Sequence, residues 1–260
     1  VPTIEENVAY WTAYEWSKAG DEWSAAWGDS ASLWAGTLMP RLSGLLPTAH
    51  ILEIAPGYGR VTQYLIRFAD RLTAVDLAPK CIRACRRRLR SYRRWWGGRR
   101  FRGYVNDGRS LAMVPDASVD LVVSWDSLVH AEADVVREYL RQLAEKLKPG
   151  GAGLLHHSNM GAYEQPGGGL SVENPHWRAA TMSAAKFRAY CAEFGLWCLN
   201  QELIPWGGET LNDCLSLFTR PRRGGPGARP PETRVVENRQ FWDEARRMKD
   251  LRAAYLIPGE

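Results

Sequence analysis

What this 260-residue chain lacks removes several classes of function. It has no run of eighteen apolar residues, and its first residues, Val-Pro-Thr-Ile-Glu-Glu, offer neither a basic start nor an apolar h-region. The sequence therefore reads as neither membrane-spanning nor secreted, and the expected location is cytoplasmic. Cysteine is sparse: Cys81, Cys85, Cys191, Cys198 and Cys214 are odd in number, never spaced Cys-x-x-Cys, and sit inside periodic segments. That pattern fits reduced packing residues better than a disulfide framework or a zinc ribbon. Histidine is equally scarce, with five in the chain, so acid–base chemistry has few places to reside.

What is present is a globular α/β pattern. A hydrophobic content of 45% against 24% charged residues suits one domain with trimmings and is enough for a substantial core. Strand and helix patterns alternate: strand at 50–55, helix at 61–68, strand at 71–76, helix at 79–94, strand at 101–105. A fourth strand follows at 119–124, a helix at 133–147 ending in Lys-Pro-Gly-Gly, and a fifth strand at 152–157. Such alternation builds a doubly wound, mostly parallel sheet. A helix capped by Ser183 and two strands, 197–203 and 211–218, give an antiparallel finish and an expected total of seven strands. Three regions follow: an aromatic-rich helical cap over 1–46, a core over 47–220, and a Pro/Gly/Arg linker with a last helix over 221–260. That last helix, expected at 237–255, would dock on the domain or on a second subunit, making a homodimer.

Ten arginines lie between Arg83 and Arg102. On the helix starting at Pro79, whose apolar stripe is Ile82, Cys85, Leu89 and Tyr92, most of them fall on the outer faces. Clustered arginine is the footprint of an anionic partner, but no RNA-binding signature accompanies it, and nucleic acid is not an expected partner.

The stretch His50-Ile-Leu-Glu-Ile-Ala-Pro-Gly-Tyr-Gly-Arg60 organises the rest. An apolar run closing on Glu53 and then on Gly57 and Gly59 is a strand turning sharply into a helix whose N-terminal amides face the same place. The dinucleotide fingerprint requires a third glycine, and Thr62 stands there instead. Asp76 ends the second strand, and Asn106-Asp107-Gly108 follow the third. With acids at three successive strand ends, the chain from about 51 to 219 resembles the class I S-adenosylmethionine-dependent methyltransferases. The resemblance implies that Glu53 sits under the methionine moiety of the cofactor, Asp76 binds its ribose hydroxyls and Asp107 meets its adenine. It extends the S-adenosylmethionine site to Ala55, Pro56, Gly57, Gly59, Arg60 and Thr62 in the first turn, Leu77, Asn106 and Gly108, and Trp125 and Ser127 after the fourth strand. Ala55-Pro56 replaces a glycine that many members carry, which should cost little.

The first 34 residues hold Trp11, Trp16, Trp23, Trp27 and Trp34 with Tyr10 and Tyr14, too many aromatics for a solvated tail. They should fold over the domain as mixed packing and lid, where aromatic faces attract a sulfonium cation.

Methyl transfer is an in-line displacement that positioning alone can drive for an amine or thiolate, whereas a hydroxyl acceptor needs a base. His130 and His157 are the candidates, with Asp126 to orient a histidine or grip the acceptor. Of His156 and His157, strand alternation sends only one into the cleft. His50 should be structural, and His176 lies in the insert reaching about Arg178. Asp126, His130 and Glu132 could ligate a metal by residue type, but no second cluster supports one and none is assigned. Exocyclic-amine base methylases carry an Asn/Asp-Pro-Pro-aromatic turn after strand four; Ser124-Trp125-Asp126-Ser127 stands here. The expectation is O-methylation of a small molecule or glycan, the alternatives being N-methylation of a small molecule or peptide, an RNA methyltransferase, or a non-catalytic nucleotide-binding module.

Overall fold

The computed structural model describes residues 2–90, 100–222 and 229–256. Strand β1 (Thr48–Ile54) shows why the middle of the chain is covered on both sides. Its last five residues are buried, Ile51 entering one apolar cluster while Leu52 and Ile54 enter the other. Alternate side chains of a strand point to opposite faces, so an unbroken apolar run needs cover on both. The remaining strands are β2 (Ala69–Asp76), β3 (Arg100–Val105), β4 (Val119–Ser124), β5 (Leu147–Ser158), β6 (Trp197–Ile204), β7 (Asp213–Thr219) and β8 (Arg234–Glu237). They form one sheet in the order β3-β2-β1-β4-β5-β7-β6-β8. β7 is antiparallel to both neighbours and every other pairing is parallel.

The doubly wound sheet with a late antiparallel strand is the architecture expected, with three differences. The sheet has eight strands, because Arg234–Glu237 pairs with β6 in a stretch read as linker and helix start. β5 begins at Leu147, before the Pro-Gly-Gly turn. The arginine-rich helix spans Pro79–Arg88 and gives way to a turn at Leu89 and Arg90; the rest of its expected continuation, Tyr92 included, lies outside the described residues.

Before β1, the N-terminal region contains α1 (Ile4–Ala13), a 3₁₀ turn over Asp21–Trp27, α2 (Ser30–Leu33), a π turn over Trp34–Leu38 and α3 (Met39–Leu42), with Pro40 in its first turn. α4 (Thr62–Leu65) and α5 (Pro79–Arg88) follow β1 and β2. α6 (Ala133–Lys146) and α7 (Ala184–Glu193) pack Val136, Leu140, Leu143 and Phe187 on one face of the sheet. On the other face lie Trp27, Leu33, Leu38 and Leu42, joined by Phe241 and Ala245 of α8 (Phe241–Ala254). α8 thus docks on its own domain, and Arg252 of α8 pairs with Asp29 at 2.7 Å. No described helix is long and apolar enough to cross a membrane.

Candidate active site

At the end of β1 the chain turns through residues 55–59, with Ala55, Gly57 and Gly59 at φ of 55°, 55° and 83°. These left-handed angles suit glycine; at Ala55 the Cβ meets the backbone, at a cost of about 1 kcal/mol. The Ala55 substitution is therefore less innocent than its size indicates. A Cβ at Gly57 would lie 3.0 Å from the Trp16 ring. The turn opens a cavity of about 550 Å³. It sits past the carboxyl ends of β1 and β4, where strand order reverses and open α/β sheets bind ligands.

Glu53 and Asp76 line this cavity. The Glu53 carboxylate is buried, and its Oε2 finds no hydrogen-bond partner among the described residues. Burial pushes its pKa up to about 8; the Thr62 hydroxyl and the Arg60 charge oppose the rise, and the Asp76 charge adds to it. Asp76 accepts the Gly57 N–H at 3.1 Å and the Ala78 N–H at 2.8 Å, yet burial still raises it to about 7. Two carboxyls that burial keeps partly protonated favour a ligand that brings positive charge and hydroxyls to them.

At the other end of the cavity, His130 follows β4 in a short 3₁₀ turn. Its Nδ1 lies 2.8 Å from the Trp177 carbonyl. A carbonyl only accepts, so Nδ1 carries the proton and Nε2 holds the lone pair. Burial, then the Arg178 charge, lower its pKa to about 4. His130 is thus a neutral imidazole at ordinary pH. Beside it runs a chain of buried charges. Arg60 Nη2 donates to Asp126 at 3.0 Å, Arg178 forks onto Asp213 at 3.0 and 2.8 Å, and Arg178 lies 3.7 Å from Asp126. His156 ties the Asp126 backbone to the Asp213 carboxylate, accepting the Asp126 N–H on Nδ1 at 3.1 Å and meeting Asp213 through Nε2 at 3.0 Å.

The N-terminal segment closes the cavity. Trp16 stacks on Tyr58 at 4.4 Å, and Ile4 packs against Gly108. Asn7 donates to the His130 carbonyl at 3.1 Å and holds the Trp11 indole N–H at 3.2 Å. Lys80 donates to the Tyr14 carbonyl at 2.7 Å, while Arg88 of α5 pairs with Asp21 at 3.1 Å, so part of the arginine cluster serves this closure. Trp11, Trp16 and Trp23 line the cavity, whereas Trp27 and Trp34 are core.

Of the residues singled out from the sequence, the cavity gathers Glu53, Ala55, Pro56, Gly57, Arg60, Asp76, Leu77, Asn106, Gly108, Trp125, Asp126, Ser127, His130 and also Glu132 and His176. Gly59 and Thr62 lie behind its wall, Gly59 against the Cys85 sulfur. Asp107 is not on it: its carboxylate is exposed and accepts the N–H groups of Arg109 at 2.9 Å and Ser110 at 2.6 Å. Asn106 and Gly108, on either side of it, line the cavity. His157 is also misplaced. It points to the opposite face of the sheet, stacks on Phe187 at 4.6 Å and 4°, and bonds Ser216 at 2.8 Å. His156 is the histidine of that pair on the cavity's side. His50 is structural, held between Ser118 and Thr73 at 2.8 and 2.9 Å. Glu132 accepts the N–H groups of Ala180 and Thr181 at 3.0 and 2.9 Å. Asp126, His130 and Glu132 thus take separate partners, and among the described residues no group of acids, histidines and cysteines is placed to hold a metal ion. Arg178, Trp177, Asn7 and Asp213 were not found from the sequence; Arg178 marked only the end of the insert.

Three non-glycine cavity residues, Ala55, Asp126 and Trp177, have φ between 51° and 55°. Strain of this kind persists where the surroundings over-determine it, typically at working sites.

A family model described as methyltransferase domain matches residues 51–151. No curated protein matches the chain. Among solved structures, the fold is similar to geranyl diphosphate C-methyltransferase from Streptomyces coelicolor A3(2), solved with Mg²⁺, geranyl-S-thiolodiphosphate and S-adenosyl-L-homocysteine. That similarity has a TM-score of 0.60 at 16% identity, covering 85% of this chain and 98% of that one. An S-adenosylmethionine-dependent methyltransferase from Leishmania major gives 0.59 at 12% identity, covering 83% and 82%. One from Clostridium acetobutylicum gives 0.55 at 16%, covering 72% and 91%.

Proposed function

We propose that this chain is a class I S-adenosylmethionine-dependent methyltransferase and that it methylates a hydroxyl of a small acceptor, with His130 as the general base; the methyltransferase-domain match over residues 51–151 and the fold support the first part. S-adenosylmethionine supplies an electrophilic methyl group beside a positive sulfur. The residues at the first strand ends fit it: the orphaned Glu53 oxygen suits a cationic group, Asp76 suits a diol, and the glycine turn admits a ligand against the backbone. Asn106 and Gly108, rather than Asp107, would meet the adenine.

The observation that carries the hydroxyl reading is the fixed tautomer of His130. With Nδ1–H held by Trp177, the ring presents Nε2 as an acceptor in the cavity that holds the cofactor acids. With the methyl donor bound, His130 Nε2 would accept the proton that the acceptor hydroxyl gives up on methylation and pass it to solvent. Aromatic walls and the N-terminal segment exclude water from both reactants.

Transfer of labelled methyl from the donor to a hydroxyl acceptor tests this. His130→Ala should lower turnover by about 10²-fold, the lower end of general-base effects because a base near 4 is weak. Near-wild-type turnover in that variant would transfer the reading to proximity alone and to a nitrogen acceptor.

A further inference from the structure

We infer that the acceptor is a neutral saccharide ring, its apolar face laid on Trp11 and Trp177 and its adjacent hydroxyls held by Asp126 and Arg178. This rests on the reading of His130 as base and names the class of molecule that base deprotonates.

Charge balance decides the first part. Each guanidinium at this end of the cavity has a carboxylate partner: Arg60 with Asp126 at 3.0 Å, and Arg178 with Asp213 at 2.8 Å. A phosphate or carboxylate on the acceptor would have to break a buried pair to gain an arginine. An ammonium would meet Asp126, already placed between two cations, or Glu132, whose oxygens are already taken by the Ala180 and Thr181 N–H groups and the Thr181 hydroxyl. Either leaves a buried charge uncompensated. A hydroxyl donates and accepts at once, so it adds to such a network without displacing it. Two neighbouring hydroxyls suit it better than one, the first donating to Asp126 and the second accepting from Arg178.

Shape decides the second part. Trp11 and Trp177 flank the His130 ring with centroids 5.5 and 5.6 Å away, and Tyr10 extends the wall 5.4 Å from Trp177. The negative π faces of such a wall attract the electropositive C–H face of a sugar. A flat phenol would use the wall but set an apolar edge against the buried charges of Asp126 and Arg178. Both recognition elements are held in strained backbone, Asp126 at φ 53° and Trp177 at φ 51°. Asp126 is anchored further by His156, which accepts its N–H and is itself held by Asp213. The surroundings thus fix a carboxylate on the floor and an indole on the wall.

The test uses the full chain, labelled donor and a panel of methyl pyranosides, uronic acids, hexose phosphates, amino sugars and simple phenols. Label should enter neutral pyranosides at least about tenfold faster than their charged counterparts. The analogue of the best acceptor lacking the hydroxyl next to the methylated one should lose about 10²-fold in kcat/KM. Asp126→Asn should raise KM more than it lowers kcat, and in that variant the penalty for the missing hydroxyl should shrink. The panel on the unaltered protein decides the class of acceptor even if the variant fails to fold. Faster transfer to phenols, amines or charged sugars, or transfer to no member of the panel, overturns the inference. An equal penalty for the missing hydroxyl in both proteins overturns the part given to Asp126. Failure of S-adenosylmethionine to bind, measured by calorimetry, would instead sink the reading beneath it.

Discussion

Donor binding should release close to one proton per molecule at pH 7. Glu53 sits buried with a pKa of about 8, so at pH 7 roughly 90% of ligand-free molecules hold that proton. A cation placed beside the carboxylate favours the ionised form, and the proton leaves on binding. If only the ionised form binds, Kd scales as one plus the ratio of protonated to ionised Glu53. That makes binding at pH 6 about ninefold weaker than at pH 7 and about ninetyfold weaker than at pH 9. Asp76, at about 7, adds a smaller contribution of the same sign. Isothermal calorimetry in buffers of different ionisation enthalpy gives the proton count directly, and a titration series from pH 6 to 9 gives the slope. Glu53→Gln, which keeps the shape and removes the titration, should flatten most of the pH dependence while weakening binding at pH 9. A Kd constant across this range in the unaltered protein, with no buffer dependence, would refute the assignment of a protonated Glu53 beneath the cofactor.

If His130, lowered to about 4, acts as the base in its neutral form, the rate at saturating donor should rise with pH through about 4 and be flat above about 6; an inflection near 6.5 at saturating donor would show an unburied base. Ala55→Gly should stabilise the protein by up to about 1 kcal/mol, a rise of a few degrees in Tm, by relieving the left-handed alanine; an unchanged or lower Tm would mean the turn is unstrained. His157→Phe should alter stability but leave turnover of correctly folded protein nearly intact, since His157 faces Phe187 and Ser216; a hundredfold loss of turnover at unchanged donor affinity would return it to the site. Donor should protect the segment before Trp34 from limited proteolysis, because Trp16 and Ile4 close on the glycine turn and Gly108; equal cleavage with and without donor counts against a lid.

The doubly wound core was legible because its information is local. Apolar runs of strand length, glycines after Glu53 and acids at strand ends follow from near-neighbour chemistry, and they place Glu53, Asp76 and Gly57 without knowledge of the rest. The aromatic density of the first 34 residues similarly signalled packing against the domain: Trp27 and Trp34 are core, and Trp11, Trp16 and Trp23 line the cavity. β8 was missed because four residues in an exposed edge strand carry little apolar signal; the strand exists because β6 offers it an unpaired edge. The choice between His156 and His157 shows most clearly what only the tertiary structure decides. Alternation requires that one face the cleft, but which one depends on register. β4 pairs Val123 with Leu154 and β1 pairs Glu53 with Val123, so the face shared by Glu53 and Val123 continues through Leu154 to His156. That register is set by packing two apolar faces against α6, α7 and the N-terminal region at once, and no local pattern encodes it. The same holds for Arg178 and Asp126, 52 positions apart as the two numbers give it, whose charges oppose each other only after β4, β7 and the insert have come together.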